Sequence, residues 1–136
     1  MTALMIATDQ GEAEVVKTLV RRNAQVNNRD SDGETALSIA ARNGRTDIVE
    51  ILVIEGRAAI DHKDNRKMTP VMKAAFHGRL VEMGAKLNLM NINGQTALMI
   101  AKAKGYDTIV NILGAPTFLD ASENGQTKFR LDIEAK

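Results

Sequence analysis

One six-residue phrase, Thr-Ala-Leu-Met-Ile-Ala, occurs at residues 2–7 and again, letter for letter, at 96–101. Two close variants begin at Thr35 and Thr69, so that successive threonines lie 33, 34 and 27 residues apart. Self-similarity at this period is typical of solenoids, in which each unit buries its apolar face only against its neighbours. The phrase therefore predicts an array of four similar units rather than one globular core.

Each copy of the phrase predicts the start of a short helix. A threonine side chain accepts a hydrogen bond from the free amides of a new helix, and Pro70 suits the first helical position. A glycine nine residues after the threonine, such as Gly44, predicts the end of this helix. A second helix follows in units one, two and four, where apolar residues recur at helical spacing. In unit two this apolar stripe consists of Ile48, Val49, Leu52 and Val53.

The composition excludes several classes of function. With 18 basic and 17 acidic residues the net charge is +1, which gives no general attraction to nucleic acid or to an anionic membrane. The absence of cysteine excludes disulfides and thiolate metal sites. No apolar run approaches the roughly 20 residues of a membrane span. We expect a cytoplasmic or nuclear protein with no cofactor, no bound nucleic acid and no membrane insertion.

The order of turn, threonine-capped helix, glycine break and striped second helix resembles the ankyrin repeat. Unit two carries most of the matching residues, which are Asp30, Gly33, Thr35, Leu37, Ala40, Ala41, Gly44, Ile48, Val49, Leu52 and Gly56. The resemblance covers residues 2–113 and implies an all-α solenoid of stacked helix-turn-helix units with hairpin-like finger turns. The expected units of this single array are 1–29, 30–63, 64–90, 91–119 and a decayed cap at 120–136.

Several positions depart from the ankyrin pattern. The histidine usual after Thr-Pro-Leu is Met5, Ser38, Met72 or Met99 here, so a hydrogen bond between neighbouring repeats is expected to be lost. Lys67 replaces the glycine of the third finger. Unit one has no polar capping segment before it, so we expect a monomeric fragment of a longer array. At the other end Phe129, Leu131 and Ile133 alternate, which fits a short strand as well as a decayed helix.

Unit three is shorter than the others. Gly78 and Gly84 lie six positions apart, whereas Gly44 and Gly56 lie twelve apart. The gene encodes a short second helix, or residues are missing between Arg79 and Leu80, or the sequence was altered. The second explanation is favoured, because a true deletion would leave cavities that cost several kcal/mol.

The resemblance implies a non-catalytic module that binds another protein on the concave face of its fingers and inner helices. One alternative is a regulatory segment of a larger enzyme or effector whose catalytic residues lie elsewhere. Another is a free-standing inhibitor, but the lack of a polar capping segment before unit one argues against it. The ankyrin pattern assigns partner binding to Arg29, Asp32, Glu34, Arg42, Asn43, Lys63, Arg66, Met68, Phe76, His77, Met90 and Ile92.

Two subsets of these positions have two interpretations each. Apolar residues stand where ankyrin repeats usually face water, and they are either interface anchors or buried between adjacent fingers. They are Met68, Phe76, Met90 and Ile92. A basic set indicates either an acidic partner or merely solvated fingers. It consists of Lys63, Arg66, Lys67 and Lys73, with Arg29 and Arg42 nearby.

No residue pattern indicates catalysis or metal binding. His62 and His77 lack an acidic or second histidine partner at ligand spacing. Asp30-Ser-Asp32 resembles the start of a calcium loop, but the series of ligands stops at Glu34 and a tight turn explains it. We therefore expect no catalytic, cofactor-binding or metal-binding residues.

Overall fold

The computed structural model describes residues 1–79 and 84–114, together with the backbone of 128–129. Seven α-helices lie in this part: α1 Ala3–Asp9, α2 Ala13–Arg21, α3 Ala36–Asn43, α4 Thr46–Glu50, α5 Pro70–Phe76, α6 Ala97–Lys104 and α7 Asp107–Leu113. A π-helical turn, Ile51–Glu55, continues α4. Two short strands, β1 Ala85–Lys86 and β2 Lys128–Phe129, pair antiparallel. The predicted all-α class is confirmed.

The repeated phrase begins a helix each time, as predicted. The threonine hydroxyl oxygen accepts a hydrogen bond from the amide three residues later, over 3.1 Å at Thr2 and 3.3 Å at Thr35, Thr69 and Thr96. The glycine that ends each of these helices has a positive φ, as the predicted glycine break requires. These are Gly11, Gly44, Gly78 and Gly105.

The phrase helices form one row, which we call the inner helices. In this row α3 packs between α1 and α5, and α5 packs on α6. The side chains at these contacts are small or aliphatic, and Leu37, Ala40 and Ala41 are fully buried. Position in the row affects burial: Ile39, on a helix that packs between two others, is fully buried, whereas its counterpart Ile6 on α1 is exposed. The second helices form an outer layer in which α2 packs on α4 and the π-helical turn.

Three finger turns of one design precede α3, α5 and α6. In each, a side-chain oxygen of the first residue accepts two backbone N–H groups, at distances of 2.8 to 3.0 Å; the three acceptors are Asp30, Asp64 and Asn91. Neighbouring fingers are joined, because the Asn65 amide donates to the Asp32 carbonyl at 3.1 Å and the Ile92 amide donates to the Arg66 carbonyl at 3.0 Å. The predicted hairpin-like fingers are confirmed and form a continuous edge.

The π-helical turn of unit two absorbs an extra residue. The apolar stripes of units one and two are 33 residues apart, but their left-handed residues, Asn23 with φ 65° and Arg57 with φ 53°, are one residue further apart. A π turn widens a helix by one residue per turn, and here the Gly56 amide donates to the Ile51 carbonyl at 3.0 Å. Gly56 therefore ends the helix as expected, but Arg57 takes the left-handed conformation.

Two sequence questions fall outside the described residues. The link between Arg79 and Leu80, which would distinguish the three explanations of the short unit, lies outside the described residues. Most of the decayed cap predicted at 120–136 also lies outside the described residues. At 128–129 the backbone forms a strand, in agreement with the strand interpretation of that segment.

The third finger predicts a stabilising substitution. Lys67 has φ 61° where Gly33 and Gly94 stand in the other fingers, and the left-handed conformation costs a residue with a Cβ about 1–2 kcal/mol. Lys67→Gly should raise the free energy of unfolding by about 0.5–1 kcal/mol after the loss of glycine entropy, as measured by urea denaturation.

Gly94→Ala provides the matched control. A Cβ at this position would meet no atom within 4 Å, so that only the backbone conformation at φ 74° changes. It should lower the free energy of unfolding by about 1 kcal/mol. Equal stability of Lys67→Gly and the native chain would contradict the argument.

Candidate functional site

The predicted binding residues fall into three zones along the inner helices. A finger zone lies at the N-terminal ends of the helices and contains Arg29, Asp32, Lys63, Arg66, Met68, Met90 and Ile92. A rim zone lies at the C-terminal ends and contains Arg42, Asn43, Phe76 and His77. Between them lies a cluster of charged side chains around Glu34, which we call the charge network.

The charge network links units one, two and three. Glu34 is only 4% exposed, and its carboxylate oxygens lie 2.7 Å from Arg42 Nη1 and 2.7 Å from Lys73 Nζ. Lys73 also lies 3.0 Å from the Asp64 carboxylate, and Arg42 lies 3.6 Å from that of Asp9. The expectation that Glu34 faces a partner is therefore corrected: its carboxylate is turned inward, and it positions Arg42 and Lys73.

Lys73 belongs to the charge network, a role that the set of partner-binding positions does not include. It stands at the fifth position of the repeated phrase, where the other three copies have Ile6, Ile39 and Ile100. A lone cation at an aliphatic position of a repeat is a signal in the sequence, because a buried lysine needs carboxylate partners. The structure supplies two such partners, one from its own finger and one from the preceding unit.

The two ends of the Lys73–Asp64 pair have shifted pKa values. Burial acts to raise the pKa of Asp64, but hydrogen bonds from the amides of Met68 and Arg66 and from Lys73 outweigh it and lower that pKa below 3.8. Burial likewise acts to lower the pKa of Lys73, and its contacts with Glu34 and Asp64 outweigh burial and raise that pKa above 10.5. Both groups are therefore charged at neutral pH.

The rim zone presents an aromatic side chain among cations. Phe76 is 42% exposed; Lys104 Nζ lies 4.1 Å from the centre of its ring, a cation–π contact. The His77 ring meets Phe76 edge-on at 5.1 Å. Burial, followed by the charges of Arg42, Lys73, Arg79 and Lys104, lowers the pKa of His77 below 6.5. The imidazole is therefore neutral at pH 7.

Asn43 is held within the rim rather than free. Its side-chain amide donates to the Asp9 carboxylate over 3.0 Å, the same carboxylate that Arg42 approaches. Asp9 of unit one thus orients two rim residues of unit two.

The finger zone is held mainly by its backbone. Asp32 and Arg66 accept amides from the following finger through their carbonyl groups, which leaves their exposed side chains outside that ladder. Arg29 Nη2 lies 3.5 Å from the Asn65 side-chain oxygen, and Lys63 Nζ lies 3.4 Å from the Met90 carbonyl. The backbone of the fingers is therefore held in place without these side chains.

The apolar subset divides between the two interpretations. Met68 is half-buried, and the Asn91 side-chain amide approaches its sulfur at 3.3 Å, so burial between fingers holds for this residue. Phe76, Met90 and Ile92 are exposed, Ile92 at 63%. The interpretation that they are buried between fingers is therefore wrong for these three. Of the two interpretations, only that of interface anchors is left for them.

The basic set does not form a single unpaired patch. Lys73 and Arg42 are neutralised within the charge network, whereas Arg66 and Lys67 are exposed on the third finger. The case for an acidic partner therefore loses Lys73 and Arg42 and rests on the exposed pair, Arg66 and Lys67.

Two further observations limit the chemistry of the described residues. His, Asp and Glu side chains do not come together there in groups of three that could hold a metal ion. None of the helices in residues 1–79 and 84–114 is long and apolar enough to cross a lipid bilayer.

The charge network predicts how stability depends on pH. Because the pKa of Asp64 is lowered on folding, this group stabilises the fold above about pH 4 and loses its contribution as pH falls through the folded pKa. Asp64→Asn keeps the turn, as Asn91 does in unit four, but removes the charge. The fall in unfolding free energy between pH 7 and pH 3, measured with urea, should be smaller in this variant than in the native chain.

Asp30→Asn is the control for this measurement. Asp30 forms the same turn, but in the described residues no lysine or arginine pairs with it. If Asp64→Asn and Asp30→Asn changed the pH dependence of the unfolding free energy equally, the Lys73–Asp64 pair would not be its cause.

The comparisons with known proteins agree with this geometry. Residues 1–64 match a family model that is described as "Ankyrin repeats (3 copies)". The chain is 36% identical over 129 residues to human ankyrin repeat domain-containing protein 63, covering 85% of this chain and 34% of the relative. It is 30% identical over 128 residues to dauer abnormal formation protein 25 of Caenorhabditis elegans, covering 89% of this chain and 33% of the relative.

A further relative combines similar repeats with an enzyme name. The chain is 38% identical over 74 residues to serine/threonine-protein kinase 12 of Arabidopsis thaliana, covering 54% of this chain and 16% of the relative. The chain thus spans about a third of the length of the first two relatives and less of the third. The repeat match, the capped helix pairs and the joined fingers together identify this chain as a member of the ankyrin repeat family.

Proposed function

We propose that this chain binds a partner protein on the face formed by its finger and rim zones and that it does not catalyse a reaction. Ankyrin repeats are in general modules for protein interaction. The proposal includes a monomeric chain in the cytoplasm or nucleus. The partner sits across units two to four, where the exposed binding residues lie.

The observation that carries this proposal is the exposure of apolar side chains at positions that are polar in the other units. Ile92 occupies the finger position of Ser31 and Asn65, and Met90 occupies that of Arg29 and Lys63. Phe76 occupies the rim position that is polar in units one and two, Asp9 and Arg42, and is the small Ala103 in unit four. Apolar side chains that neither pack internally nor follow the repeat pattern are typical anchors of protein interfaces.

The rigidity of the face supports the same proposal. Backbone hydrogen bonds join successive fingers, and the charge network ties the inner helices of units one to three. A face that is ordered before binding loses less conformational entropy when the partner arrives. The contacting side chains therefore have a frame that need not rearrange.

A second candidate is a regulatory segment within a larger enzyme or effector. The kinase name of the Arabidopsis relative favours this candidate, and the binding face would then contact a catalytic domain of the same protein. An affinity measurement between this chain and the remainder of its full-length gene product would distinguish the two.

The binding face predicts which substitutions weaken an interaction. Phe76→Ala and Ile92→Ser should each weaken the affinity for a partner by about tenfold or more, since anchors of this kind contribute at least 1–2 kcal/mol. Both side chains are exposed, so the unfolding free energy should change by less than about 1 kcal/mol. Proteins retained by the native chain from a cell extract would be identified, purified and titrated by calorimetry.

Ile54→Ser is the matched control. Ile54 is 71% exposed but lies on the second helix of unit two, away from the fingers and inner helices. It should leave the affinity unchanged. If the affinity for the partner fell with Ile54→Ser and not with Phe76→Ala or Ile92→Ser, the binding site would lie on the outer helices instead.

A further inference from the structure

Unit three is too short to form an outer helix like those of its neighbours. Only residues 79–83 separate Gly78 from Gly84, whereas α2 alone takes nine residues in unit one. Five residues rise only about 7.5 Å as an α-helix, or barely more than one turn. The outer layer therefore needs another element beside unit three.

The structure shows a distant segment meeting unit three at the end of this short stretch. Strand β1 begins at Ala85, directly after Gly84, and β2 pairs with it antiparallel, with Ala85 opposite Phe129 and Lys86 opposite Lys128. In units one and two the matching residues, Ala24 and Ala58, donate their amides to their own second helix, at Leu19 and Leu52. In unit three a strand from the end of the chain meets this position.

We propose that the C-terminal segment around Lys128 and Phe129 docks on β1 as an added strand and covers the outer side of unit three in place of the missing helix. An exposed strand edge is a template for such pairing. The alternation of Phe129, Leu131 and Ile133 is the sequence pattern of a half-buried strand. The occupant of this edge is thus a segment of the same chain, and Ala85 is fully buried.

The backbone of β1 also defines how the two strands face each other. The Lys86 amide donates to the Asp61 carboxylate at 3.0 Å, so it is turned away from β2. Hydrogen-bonded and non-hydrogen-bonded pairs alternate in antiparallel strands. Lys86 and Lys128 therefore form the non-hydrogen-bonded pair, in which the Cα atoms lie about 4.5 Å apart, within the range that a disulfide spans.

A chain without cysteine allows a direct test of this docking. Lys86→Cys combined with Lys128→Cys in the full chain should form an intramolecular disulfide under mild oxidation, followed by non-reducing electrophoresis and mass spectrometry. Lys86→Cys combined with Asn124→Cys is the control, because residue 124 lies four positions before Lys128, which pairs with Lys86. We expect the first pair to cross-link at least about tenfold faster than the control, because docking raises its effective concentration.

Three results would overturn the proposal. Equal cross-linking rates for the two pairs would show that the segment samples β1 without docking. Disulfide-linked dimers would show that a second copy provides the strand. An unchanged melting temperature after removal of residues 128–136 would show that the segment does not stabilise unit three, since a docked cover must lower that temperature when it is lost.

Discussion

The fold rests on the close stacking of thin inner helices, whose contact faces consist mainly of alanine and aliphatic side chains. Ala40, Ala41, Ala74 and Ala75 are buried in this row, where larger residues would push adjacent units apart. A single unit cannot bury such a face alone, because it has no core of its own. It needs a neighbouring unit on each side. The exposure of Ile6 beside the burial of its counterpart Ile39 shows this dependence within one chain.

Polar contacts reinforce the stack where apolar packing is interrupted. Lys73 inserts a cation into the row of isoleucines, and the carboxylates of Glu34 and Asp64 compensate its charge from two different units. Removal of one partner from a buried pair costs about 3–5 kcal/mol. The network therefore ties units two and three together through charges, while Arg42 and Asp9 extend it towards unit one.

The irregular units show that a linear array accommodates an inserted residue or a replaced glycine locally. The π-helical turn takes up one extra residue in unit two and returns the chain to register by Ala58, whose amide bonds to Leu52. The left-handed Lys67 preserves the third finger without a glycine. Because each unit contacts only its neighbours, such changes do not propagate through the fold. The fingers remain joined across units of 33, 34 and 27 residues.

The sequence by itself determined the repeat, the capped helices, the glycine breaks and the finger turns, because each depends on residues close together in the chain. The threonine caps and the turns at Asp30, Asp64 and Asn91 are of this kind. Only the tertiary structure decided that Glu34 is buried, that the Met68 sulfur contacts the Asn91 side chain and that Phe76 and Ile92 remain exposed. It likewise brought Lys128 and Phe129 to β1. These outcomes depend on which unit covers which face, and a local pattern carries no information about contacts between residues far apart in the chain.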